Sequence, residues 1–117
     1  MIDVETIRRV VSAFYDAMFD DVMIGYMFRG QDKARLTARE TELMAAHFGL
    51  PGVTYTGRPL EAAHARHKIM GAQFDRRAVI LAETLDAFPL APEVKTEWLR
   101  HTLDLRDQLT SARECKD

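Results

Sequence analysis

The chain has 117 residues, 47% hydrophobic and 29% charged, which suits one domain, 1–117, with a core of its own. A formal net charge of −2 supplies no basic field for nucleic acid, and no apolar run reaches membrane-spanning length. The single cysteine, Cys115, excludes an internal disulfide and zinc-finger spacing, and with no legible leader it points to a reducing cytoplasm.

Asp3 precedes an apolar series at Ile7, Val10, Val11, Phe14, Tyr15 and Met18. That spacing predicts an amphipathic helix capped by Asp3 and running to about Asp20. A short helix is expected around Val22–Met27. Gly30 breaks the chain, and Asp32 can cap a second long helix through about Phe48. Its inward face reads Leu36, Glu40, Leu43, Met44 and His47, with His47 expected at the surface. Gly49, Pro51 and Gly52 end it.

The stretch YTGRPLEAAHARHKIMGAQF, residues 55–74, has Pro59 where a helix can begin, because the missing N–H is unpaired there anyway. Leu60, Ala63, His64 and His67 then share one helical face. A neutral imidazole on an apolar face can ligate a metal; it can equally be a buried histidine bonded to a carbonyl. A third long helix, roughly 72–88, carries the stripe Phe74, Ala78, Leu81, Leu85 and Phe88. Pro89 and Pro92 frame the next connection. The last helix starts at Pro92, runs to about 112 and presents Val94, Trp98, His101, Leu105 and Leu109. The tail, 111–117, is expected to fray. Phe14, Phe28, Phe74, Leu81, Leu85 and Trp98 are expected to be buried, and no stretch reads as a strand.

Two segments, in this order, resemble a known family. FYDAMFDDVMIGYMF, residues 14–28, and the 55–74 stretch resemble the signatures of truncated hemoglobins, the two-over-two helical globins of bacteria. The likeness spans roughly residues 7–110. Val22 replaces the usual proline after Asp21, Met27 replaces half of an aromatic pair, and GLPG stands for the usual Gly-Gly-Pro. A Gly-Gly before the first helix is missing, a front end closest in style to the third subgroup.

The resemblance implies an all-α, two-over-two globin fold around heme b. His64 would be the proximal iron ligand, with Phe28, Leu36, Met44 and Phe74 against the cofactor. Arg39, Arg58 and Arg66 are candidates for the propionates, since guanidinium pairs well with carboxylate. Tyr15 would donate its hydroxyl to iron-bound oxygen, with Glu40 and Arg77 also lining the ligand side. The implied function is binding of a diatomic gas, oxygen or nitric oxide, for transport or sensing. A nitric oxide dioxygenase or peroxidase-type enzyme, served by a reductase, is the alternative on the same scaffold. A non-heme metal-binding bundle or helical interaction module is the alternative of another class. Glu61 and His64 form one ExxH pair, where di-iron bundles use two.

Glu40 and Arg77 are charged residues of opposite sign on otherwise apolar periodic faces. Lone buried charges are disfavoured and paired ones survive. The two are therefore expected to meet across the distal side; the alternative is that both snorkel to solvent.

Overall fold

A computed structural model describes residues 2–53 and 71–114, with side chains through Leu105. Among these residues lie four α-helices: α1 (Val4–Phe19), α2 (Lys33–His47), α3 (Gly71–Asp86) and α4 (Pro92–Glu114). A 3-10 turn, Gly25–Phe28, separates the first two, and no strand occurs among the described residues. His64, with Arg58, Glu61, Arg66 and His67, lies outside the described residues, as does Cys115.

The helix starts follow from the expected caps. The Asp3 carboxylate accepts from the Thr6 amide at 2.8 Å, and Asp32 accepts from the Arg35 amide at 3.2 Å. Each satisfies one of the amide groups that a helix start leaves without a partner. The α2 exit is a Schellman motif. Leu50 N–H donates to Ala45 C=O and Gly49 N–H to Ala46 C=O, each at 3.0 Å. Gly49 takes φ of +74°, which an L side chain would resist. Gly25 answers a different need. A Cβ there would stand 2.6 Å from the Phe19 carbonyl oxygen, so only glycine lets the turn close on the end of α1.

Helix α1 is the central element. Ile7, Val10, Val11, Phe14, Tyr15 and Met18 are all buried, as their spacing predicts. Full burial of such side chains is worth roughly 1.5–3 kcal/mol each, before the entropy of ordering them. Helix α2 packs on α1 and α3 on α4, the two pairs expected, and α3 also packs on α1. The backbones of α2 and α3 do not approach one another, so side chains must cross the space between them. Phe48, just past α2, meets Trp98 of α4 edge-on, ring centres 5.8 Å apart, and closes the far corner.

Three details differ from expectation. Phe28 is half-buried rather than buried, because it sits on a turn at the rim of the core. Helix α3 ends at Asp86, before the expected 88. Ala87 and Phe88 make tighter i−3 bonds, and Pro89 disfavours helical backbone at the residue before it. Thr41, Ala45, Ile80, Thr84 and Thr102 are buried although the stripes omit them. A core-facing helix buries a band wider than one row. Thr41 and Thr84 tolerate it because each hydroxyl donates to the carbonyl four residues back, at 2.7 and 2.8 Å.

Candidate functional site

One side of α1 carries an aromatic wall. The Tyr15 ring lies 5.8 Å from Phe14, 6.4 Å from Phe19 and 6.1 Å from Phe28, centre to centre. Phe19 and Phe28 stack at 4.9 Å, which ties the 3-10 turn to the end of α1. Tyr15 is only 6% exposed. A hydroxyl in such a dry setting makes stronger hydrogen bonds than one in water.

Phe74 of α3 is buried, yet it stands apart from the main core. It packs on Met27 and Leu105, and Met27 touches the main core as well. Leu36 lies half-buried on the core's edge, and Met44 is wholly inside it. Of the apolar site residues named from the sequence, Phe28 thus lies on the 3-10 turn, Leu36 and Met44 on α2 and Phe74 on α3, with Met44 deepest.

Glu40 and Arg77 meet. The Arg77 guanidinium nitrogen Nη2 lies 3.9 Å from Glu40 Oε1, and their side chains are 19% and 18% exposed. The guanidinium also sits over the Phe14 ring, 5.2 Å from its centre, in a cation–π contact. At 3.9 Å the charges attract but do not hydrogen-bond. Among the described residues neither side chain makes a hydrogen bond to anything else. Burial pushes the Glu40 carboxyl above the usual range, and Arg77 pulls it back in part. Both side chains are mostly buried, so the snorkelling alternative does not hold.

Arg39 precedes Glu40 on α2. Its Nη1 reaches Glu42 at 3.4 Å, but its Nε is buried without a partner among the described residues. A buried guanidinium N–H left open is a place for an acceptor from outside the described chain. A flat dicarboxylic macrocycle asks for apolar walls and a cation for its carboxylates. Phe28, Leu36, Phe74 and Arg39 fit that demand; the proposed metal ligand His64 falls outside the described residues.

Two further clusters were not anticipated. Asp21, after α1, accepts from Arg76 of α3 at 2.6 and 3.0 Å and from the amides of Met23 and Ile24 at 3.0 and 3.1 Å. Arg76 foremost holds this carboxyl below the usual range. At the α2–α4 corner, His47 Nε2 lies 2.6 Å from Glu97, and its ring centre lies 4.1 Å from that of His101. Arg100, ahead of His47, pulls the Glu97 carboxyl down to about 2. His101 Nε2 is buried without a partner among the described residues, and burial pushes its pKa down. The one legible signal for this corner is the one-turn spacing of Glu97, Arg100, His101 and Asp104. No group of three or more His, Cys, Asp or Glu among the described residues is placed to hold a metal ion. No described helix is long and apolar enough to cross a membrane.

A family model described as bacterial-like globin matches residues 3–111. The group 1 truncated hemoglobin GlbN of Mycolicibacterium paratuberculosis is 31% identical over 107 residues, covering 79% of this chain and 78% of that protein. That relative is of group 1, whereas the front end alone resembles the third subgroup. The solved 2/2 hemoglobin from Synechococcus sp. PCC 7002, with covalently attached heme, gives a TM-score of 0.80 at 20% identity, covering 92% of each chain. A truncated hemoglobin from Tetrahymena pyriformis gives 0.80 at 21% identity, covering 91% of this chain and 90% of that one. At such identities these two structures speak to the fold, which is the two-over-two globin.

Proposed function

The chain belongs to the bacterial-like globin family, and from that premise we propose that it is a heme protein that binds oxygen or nitric oxide at an iron held by His64. The cofactor is heme, as in the family. Heme, when bound, supplies an iron with one position open to a ligand. The chain's own residues then decide what binds there. Phe28, Leu36, Met44 and Phe74 give the cofactor an apolar seat. Arg39, with Arg66, pairs its carboxylates. Tyr15 donates to the bound gas.

The observation that supports this reading is Tyr15, buried and walled by Phe14, Phe19 and Phe28. A donor held in a dry aromatic wall favours a ligand that takes on negative charge. Binding for transport or sensing is the role proposed, within one domain, and the lone Cys115 supports a cytoplasmic setting. Turnover as a nitric oxide dioxygenase or peroxidase is the second reading, favoured by the charged Glu40–Arg77 pair over the Phe14 ring, which adjoins Tyr15.

The test is spectroscopic. The purified protein should show a Soret band. His64→Ala should lose stable heme, or keep it only with added imidazole. An unchanged ferrous spectrum in His64→Ala would remove the proximal assignment.

A further inference from the structure

We propose that Glu40 and Arg77 form a proton-accepting couple for weakly acidic ligands: Glu40 takes the proton of a ligand HX as it binds, and Arg77 holds the anion X− that remains. This rests on the heme reading above and adds a further ligand class, beside the gas, that the pocket can take. The class is small neutral weak acids that coordinate as anions, such as hydrogen sulfide, hydrogen peroxide and hydrogen cyanide.

Three observations lead here. The first is the open geometry of the pair. Arg77 stands 3.9 Å from Glu40, and both have unspent hydrogen-bonding capacity among the described residues. The chain closes a comparable pair one residue earlier on the same helix, where Arg76 reaches Asp21 at 2.6 Å. A pair held open leaves donors on one side and an acceptor on the other for a third molecule. The second is position. Arg77 lies over Phe14, whose ring adjoins Tyr15, and Glu40 faces it from α2 across the space between the helices. The third is chemistry. A gas such as oxygen or carbon monoxide can use the donors of Tyr15 and Arg77 but has no use for a carboxylate. A half-buried carboxylate beside an acceptor-only ligand is a repulsive group. A ligand that must lose a proton uses both members of the pair.

The step is a proton transfer without oxidation. The H–X bond breaks, its electron pair stays on X, and the proton moves to a Glu40 carboxylate oxygen. Burial makes Glu40 a stronger base than a surface carboxylate, which favours the transfer. Among the described residues Arg77 is the one charged group in ion-pair reach of Glu40. Its fixed charge stabilises X− as an oxyanion site stabilises developing charge.

The experiment uses the heme-loaded ferric protein at neutral pH with two probes. Cyanide is then almost wholly HCN and must lose its proton to bind; azide is already an anion. Glu40→Gln should slow cyanide association by about a hundredfold, the scale of a lost general base, and should not slow azide association, which is relieved of a repulsive charge. Arg77→Met should speed dissociation of both. An indicator dye gives a readout that needs no variant. Wild type should bind cyanide with no proton released, because Glu40 keeps it, and Glu40→Gln should release one per heme. Release of a full proton by wild type overturns the proposal, as does an equal change in both ligands, or in neither, on Glu40→Gln. A protein with no Soret band would instead defeat the heme reading itself, so the two failures are told apart.

Discussion

Arg76 and Arg77 are neighbours on α3, and the structure puts them to opposite uses. Arg76 makes two hydrogen bonds to Asp21, whose side chain is 6% exposed and also accepts two backbone amides. Every part of that carboxylate is spent on the fold. Arg77 reaches toward an oppositely charged partner and stops 3.9 Å from it, over an aromatic ring. The difference separates a clamp from a site. A buried charge with its hydrogen bonds complete fixes the loop after α1 onto α3. A buried charge with its bonds incomplete is costly unless something else completes them.

The largest effect should come from breaking the clamp. Arg76→Met leaves the Asp21 carboxylate buried without its cation, and it should lower the thermal midpoint further than Arg77→Met does. Melts of the two heme-free variants decide it. Equal losses would mean that the two arginines do the same work, and the comparison would fail.

Next comes the asymmetry within the open pair. Glu40→Leu or Arg77→Leu alone should cost about 1–3 kcal/mol, because each strands a half-buried charge. The double variant should return close to wild-type stability, because apolar side chains fill the same seam without a charge. Urea unfolding of all four proteins gives the coupling energy. Additive losses would show that the two side chains do not sense each other.

The contrast also shows what a sequence can disclose. The periodic faces of α1, α3 and α4 located the elements, because one apolar row is enough to orient a helix. Asp3, Asp32, Gly49 and Pro92 located ends, because capping and backbone freedom are local properties. Glu40 and Arg77 stood out by the same logic: a charge on an apolar row needs a partner. Asp21 and Arg76 gave no such warning. Asp21 looks like an ordinary turn residue, and its burial arises only when α3 folds back over the turn. The His47–Glu97–His101 corner was hidden for the same reason, since it joins positions 50 residues apart. Side chains buried by tertiary packing alone leave no mark in a local pattern.

A smaller and broader effect is expected from pH. Arg76 lowers the Asp21 carboxyl, and Arg100 then His47 lower that of Glu97 to about 2. Groups lowered by folding stabilise the protein above their unfolded range and lose that contribution as pH falls toward the folded value. For Glu97 the loss should run from about 4.5 down to about 2. Glu40 has the opposite sign. Its pKa is raised by burial, so its contribution is most favourable at low pH and is lost as pH rises through the folded value. Melts of wild type and Glu97→Gln across this range should differ most at neutral pH and converge in acid. A Glu40→Gln protein should diverge from wild type in stability above the ordinary carboxylate range and approach it below. Parallel curves would mean that neither carboxyl is coupled to folding as the geometry implies.

The smallest effect is expected at a third pair, and it tests whether distance alone sorts these contacts. Lys33 Nζ lies 2.6 Å from Asp16, the same separation as Arg76 from Asp21. Its setting differs: the two side chains are 48% and 56% exposed. Water and salt screen such a pair, and ordering two mobile side chains offsets most of the attraction. Lys33 also lies 5.7 Å above the Phe19 ring, a contact that is weak where solvent reaches it. Lys33→Ala should therefore leave the melting midpoint almost unchanged, and any small shift should vanish in high salt. A loss as large as that of Arg76→Met would overturn the ordering. It would mean that short distance, rather than burial with complete hydrogen bonding, makes a charged pair hold this fold.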